Sequence, residues 1–347
     1  MNLLVSEAPG TLTATPEPPG VYVQRSTRAS SAGLLALVAV VVLLAAVPFS
    51  FGPDATNRLV QLFVLIVLAS MWNLLAGYGG LVSVGQQAFI GLGTYAVLAA
   101  AQQGVNAWVA VGLAGIVAAL VALPVSLLVF RLRAGYFAIG TWVVAEVLRL
   151  VISQQRDLGA GAGKSLTGLS TYEPAARQAN TYWVALAVVV VVLTGIALLL
   201  RSRLGLSLTA VRDDEVAAGA VGVRVGLAKR SVYVLAAAGC GLAGGVLLTN
   251  NLRVQPDSAF SVQFSAAMIF MVVIGGVGTL EGPVVGALVY FGLQQLLQDY
   301  GSWYLVALGV LAMVITIRLP RGIWGLLSGR HDRSVLPLRF RLQTGER

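Results

Sequence analysis

YWVALAVVVVVLTGIALLL, residues 182–200, runs for 19 residues without a charged side chain. Wound as an α-helix rising ~1.5 Å per residue, it is long enough to cross a hydrocarbon core about 30 Å thick. Reading outward, similar apolar runs fall at 32–51, 59–76, 84–101, 108–130, 135–152, 231–250, 264–277, 284–297 and 303–317. The whole chain of 347 residues is 57% hydrophobic and only 11% charged, with a mean hydropathy of +0.85. That leaves too little polar surface for a soluble protein of this length. The predicted fold class is therefore an all-α polytopic membrane protein of about ten transmembrane helices. The short or glycine-rich runs after Leu81 and around Gly275 are expected to be broken or re-entrant.

The net charge of +9 is read through its placement rather than as a nucleic-acid signal. With the N-terminus in the cytoplasm, the inner segments hold 17 basic residues and the outer ones hold five: Arg58, Arg156, Lys164, Arg177 and Arg253. This asymmetry predicts that both termini are cytoplasmic. Residues 1–31, with Pro9, Pro16, Pro18 and Pro19 among small polar residues, read as a disordered cytoplasmic leader. The following apolar run is too long for a signal-peptide core. Residues 32–319 form the expected permeation domain and 320–347 a basic cytoplasmic tail. One cysteine, Cys240, and one histidine, His331, exclude a disulfide framework, histidine-based catalytic triads and multi-histidine metal sites. No catalytic or metal-binding constellation is predicted, nor any cofactor bound by the chain itself.

Four stretches carry more than hydrophobicity. GYGGLVSVGQQAFIGLGTY, residues 77–95, mixes six glycines with Ser83, Gln86, Gln87 and Thr94. Its small residues suit close helix packing, while Ser83 and Gln86 suit a polar path at an unwound helix. GYFAIGTWVVAEVLR, residues 135–149, puts Glu146 and Arg149 three residues apart on one helix face. They read either as a mutually neutralising pair or as part of a translocation route. Residues 201–230 interrupt the membrane pattern with LTAVRDDEVAAGAVGV, in which Leu208, Val211 and Val216 accompany Arg212, Asp213, Asp214 and Glu215. The layout fits an amphipathic helix docking into a partner's groove, or a solvated connector. In MVVIGGVGTLEGPVVGA, residues 271–287, Gly275, Gly276, Gly278 and Pro283 break helix propensity and predict a tight turn or a hinge.

GAGAGKS, residues 159–165, imitates a phosphate-binding loop, but Leu158 stands where the first glycine would be needed. Asp213 and Asp214 are adjacent and have no base or nucleophile near them in sequence, so they make no acid pair for hydrolysis.

Taken together and in order from about Leu59 to Leu319, these stretches resemble the permease subunits of bacterial branched-chain amino acid ABC importers. The resemblance rests on Gly80, Ser83, Gly85, Phe89, Gly91, Gly93 and Tyr95, then on Gly135, Tyr136, Phe137, Ala138, Thr141, Glu146 and Arg149. It continues through Arg203, Gly205, Ala210, Arg212, Asp213, Asp214, Glu215, Ala217, Ala218 and Gly222. Pro256, Ser258, Gly275, Gly276, Gly278, Thr279, Gly282, Pro283, Gly286 and Ala287 complete it. Gln86, Leu206 and Trp142 depart from the residues usual at those positions.

The resemblance implies import of branched-chain amino acids across the bacterial inner membrane by alternating access. It implies two cytoplasmic ATPase subunits that bind the ATP, a second related permease subunit and an extracytoplasmic solute-binding protein. ATPase coupling would fall to Arg212, Asp213, Asp214, Glu215 and Gly222, and the path to Ser83, Gln86, Tyr95, Tyr136, Glu146 and Arg149. Relatives carrying urea or short-chain amides look similar, and a standalone channel or a membrane anchor would also satisfy the apolar runs.

Overall fold

A computed structural model describes residues 21–24, 28–132, 135–169, 171–297, 301, 303–319, 322–327 and 341–344. Residues 1–20 of the predicted leader, and residues 328–340 and 345–347 of the predicted tail with His331, lie outside the described residues. The chain divides into two units, one of residues 1–38 with 334–347, the other of residues 39–333. In the smaller unit β1 (Val21–Gln24) pairs antiparallel with β4 (Arg341–Thr344). Within the larger unit the two-residue strands β2 (Lys164–Ser165) and β3 (Arg253–Val254) also pair antiparallel.

The helices in chain order are α1 (Arg28–Ser50), α2 (Pro53–Asn73), α3 (Gln87–Gln102), α4 (Ala107–Val129), α5 (Gly135–Ser153), α6 (Pro174–Arg201), α7 (Arg203–Asp213) and α8 (Glu215–Ala220). They continue with α9 (Val225–Asn251), α10 (Pro256–Ala259), α11 (Val262–Gly275), α12 (Gly282–Leu297), α13 (Trp303–Arg318) and α14 (Gly322–Leu327). Local sequence sets many of the boundaries. Proline opens α2 and α6 at the first helical position, where no hydrogen bond is lost. The Asn106 side chain caps α4 by accepting from Trp108 N at 3.0 Å.

Each of the ten apolar runs falls on a helix: α1 to α6, α9, α11, α12 and α13. Among the described residues seven helical segments are long and apolar enough to cross a membrane, and residues 38–50 and α12 are shorter apolar helices. The chain is thus an all-α polytopic membrane protein. The segment predicted to break after Leu81 does so, running outside any helix from 79 to 86 before α3 begins.

At the centre lie α2 and α9, whose membrane windows are each 72% buried, against 17% for α5 at the margin. Tight packing there follows from small side chains. Ala110, Ala114, Ala118 and Ala122 form a fully buried stripe along α4, and Gly241 of α9 approaches the backbone and side chains of Ala114 and Ala118 directly. Such small-residue stripes let helices touch where lipid offers no hydrophobic drive to association. The apparent phosphate loop forms two short 3₁₀ turns, 156–158 and 160–162, followed by β2. No helix N-terminus follows it to receive a phosphate.

Candidate functional site

At its end α2 widens into a π-helical turn, Leu74–Tyr78, and the chain then runs non-helically to Gln86. Exposing amides and hydroxyls to an apolar interior is costly unless they find partners, and the break supplies them. Ser83 and Gln86 are fully buried. The Ser83 carbonyl accepts from Trp72 Nε1 at 2.9 Å, and its hydroxyl accepts from Gly85 N at 3.2 Å. Gln86 is held more loosely: Nε2 donates to Ser83 Oγ at 3.4 Å, and Oε1 accepts from Cys240 Sγ of α9 at 3.6 Å. Beside it Gln87 Oε1 accepts from the Ser265 hydroxyl of α11, both groups buried.

The break leans on α5. Val84 N donates to Thr141 Oγ1 at 3.3 Å, and a Cβ on Gly85 would lie 2.8 Å from Thr141 Cβ and nearer still to its carbonyl. Only glycine allows that approach. Tyr95 lies nine residues past Gln86 on α3, about 13 Å further along at ~1.5 Å per residue. Its ring stacks on Phe260 with centroids 6.3 Å apart. Its buried hydroxyl has no hydrogen-bond partner within the chain.

Tyr136 is not brought to this cluster; its side chain is exposed at the start of α5, on a face with Ile139, Trp142 and Val143. Glu146 and Arg149, further along α5, do form an ion pair, with Arg149 Nε 3.0 Å from both carboxylate oxygens. Arg149 Nη1 also reaches Asp257 of α10. The group therefore joins two elements. Nothing in the apolar run around Pro256 marked Asp257 as a third member.

At the other polar end, Ser202 caps α7 by accepting from Leu204 N at 3.2 Å. Asp214 caps α8, its Oδ1 accepting from Val216 N at 2.8 Å and Ala217 N at 3.0 Å. Leu208, Val211 and Ala218 are buried within the unit, whereas Val216 and Val221 point outward. The apolar groups offered to a partner are thus the two valines of α8, not Leu208 and Val211. Lys229 of α9 pairs with Glu215 at 2.6 Å, and Gly222 follows α8 with a φ of +88°. Arg212 binds Asp213 through Nε and Nη2 and donates from Nη1 to the Gly77 carbonyl at 3.0 Å.

Gly275 and Gly276 join α11 to the loop before α12, with Gly276 at φ +128° and Gly278 at φ +76°. Pro283 is buried in the first turn of α12. Asn73, which closes α2 and is 2% exposed, donates from Nδ2 to Thr279 O at 2.7 Å and accepts from Gly278 N at 2.8 Å. Asn73, Gln87, Ser265 and Asp257 were not singled out as site residues. The available signal for Asn73 was an amide ending an otherwise apolar span.

Compared with known families, residues 55–318 match the one described as branched-chain amino acid transport system, permease component. The chain is 28% identical over 316 residues to the high-affinity branched-chain amino acid transport system permease protein LivM of Escherichia coli (strain K12). That alignment covers 83% of this chain and 74% of the relative. The protein of the same name from Salmonella typhimurium (strain LT2) is similar to the same extent, 28% over 316 residues with 83% and 74% covered. No solved structure matches the chain.

Proposed function

We propose, since this chain belongs to the family of branched-chain amino acid transport permease components, that it is the membrane-spanning half of an ATP-driven importer for branched-chain amino acids. The observation that carries the reading is the family match across 55–318, which takes in the buried break, α5 and the α7–α8 pair. In this reading both termini, α7 and α8 are cytoplasmic, about ten segments cross the bacterial inner membrane, and 1–31 and 320–347 are a leader and a tail on that side. Two ATPase subunits dock on α8, where Val216 and Val221 are exposed beside Asp213 and Glu215. A second, related permease chain completes the membrane part, and an extracytoplasmic solute-binding protein delivers the ligand.

The path runs past Ser83 and Gln86. Ser83, Gln86, Gln87, Ser265 and Thr141 are all uncharged and buried, and neutral amides and hydroxyls can bond the ammonium and the carboxylate of an amino acid alike. The Tyr95 hydroxyl is a further group free of protein partners. ATP-driven closure of the ATPase pair moves α7 and α8, and access to the path alternates between the two faces. The chain binds no nucleotide itself. The test is to purify the tagged chain from its own cell in mild detergent and identify by mass spectrometry what accompanies it. ATPase subunits and a second permease support the reading; a lone or self-associated chain rejects it in favour of a channel or an anchor.

A further inference from the structure

Three segments distant in sequence meet at the end of α2. The Asn73 amide is used at both ends, donating to Thr279 O and accepting from Gly278 N, and so pins the loop between α11 and α12 onto α2. Four residues on, Gly77 packs backbone to backbone on Gly278; a Cβ on Gly77 would lie 2.6 Å from the Gly278 nitrogen. The Gly77 carbonyl lies in the final turn, where helices lack backbone donors, and it takes its hydrogen from Arg212 of α7. From this point the chain is non-helical to Gln86, tied in sequence by Leu81 N to Leu75 O at 3.0 Å and Trp72 Nε1 to Ser83 O at 2.9 Å.

We infer that Asn73 is a positioning residue that, with the Arg212 to Gly77 hydrogen bond, relays movement of α7 to the buried break at Ser83 and Gln86. The inference rests on the importer reading and adds to it the route by which docking reaches the path. The physical argument is directional. Apolar contacts slide, but the bonds of Asn73 fix the angle between α2 and the 276–281 loop, and the Arg212 bond fixes α7 to the same turn. With no helix between residues 79 and 86 to absorb a displacement, the turn and the break move together.

The chain carries its own reporter. Cys240, its single cysteine, is fully buried with Sγ 3.6 Å from Gln86 Oε1, so its labelling by a small methanethiosulfonate reagent reads opening at the break. The assay uses the complete complex in liposomes, with and without ATP and vanadate, comparing wild type with Asn73→Ala and the near-isosteric Asn73→Asp. The Asp variant keeps the acceptor for Gly278 N and loses the donor to Thr279 O.

The expected result is that both variants assemble and hydrolyse ATP, while solute imported per ATP falls about tenfold for Ala and less for Asp. The nucleotide-dependent change in Cys240 labelling shrinks in the same order. Where the Ala variant does not accumulate in the membrane, the Asp variant alone decides. Unchanged import per ATP with unchanged labelling overturns the inference, as does a fall in transport that only follows the amount of protein. A wild-type complex that imports no branched-chain amino acid rejects the importer reading instead. The relay is then judged on labelling alone, supported by a nucleotide response lost in the variants and overturned by one that persists.

Discussion

Replacing Gln86 by Leu separates a solute-binding role from a structural one, because the structure holds this amide weakly. Its two contacts, 3.4 Å to Ser83 Oγ and 3.6 Å to Cys240 Sγ, lie at or beyond the long end of productive hydrogen bonds, and sulfur is a weak partner. Ser83 Oγ keeps the Gly85 amide when Gln86 is removed. The lost contacts are therefore worth about 0.5 kcal/mol or less, and a leucine of similar length restores apolar contact, so stability should change by less than ~1 kcal/mol. A solute that loses one hydrogen bond of ~1–2 kcal/mol on the path should be imported about 5–30-fold more slowly at low concentration.

Gln87→Leu is the internal contrast. It strands the buried Ser265 hydroxyl that Gln87 now accepts from and should cost about 1–3 kcal/mol in stability. The assay pairs thermal unfolding of the purified complex, followed by size-exclusion, with initial uptake rates of leucine normalised to protein. A Gln86→Leu chain that unfolds early yet imports normally per molecule would refute the reasoning.

Three further outcomes follow from the same geometry. Reversing charge at Asp213 and Glu215 together, while leaving the capping Asp214 in place, should reduce co-purified ATPase by about tenfold without changing the unfolding temperature, since both side chains are largely exposed. An Asp214→Ala variant loses a helix cap instead and should cost about 0.5–2 kcal/mol locally, seen as faster amide exchange over residues 215–220. Gly85→Val forces a side chain against Thr141 and should destabilise by about 1–3 kcal/mol, read as a lower unfolding temperature and less protein in the membrane.

What the sequence made legible was set by physics that acts locally. Apolar length placed all ten runs on helices, and the glycines with Ser83 and Gln86 marked the break because a helix is weak where glycine is dense and polar groups need partners. The three-residue spacing of Glu146 and Arg149 was enough to predict that they share a face. What could not be read depends on contacts between distant residues. Asn73 meets Thr279 across 206 positions, and Ser265 meets Gln87 across 178; no periodicity encodes either. Periodicity also could not tell which side of the α7–α8 segment faces inward. Leu208 and Val211 are covered by the chain's own helices, and Tyr136 lies on the open face of α5.

The central claim is tested most directly by ATP-driven uptake. The complex co-purified with this chain is reconstituted into liposomes with its solute-binding protein outside and ATP on the ATPase side, and accumulation of labelled leucine is followed. The account predicts accumulation that requires hydrolysable ATP and is competed by isoleucine and valine but not by urea or acetamide. Uptake that proceeds without ATP, or that follows urea rather than leucine, would contradict it.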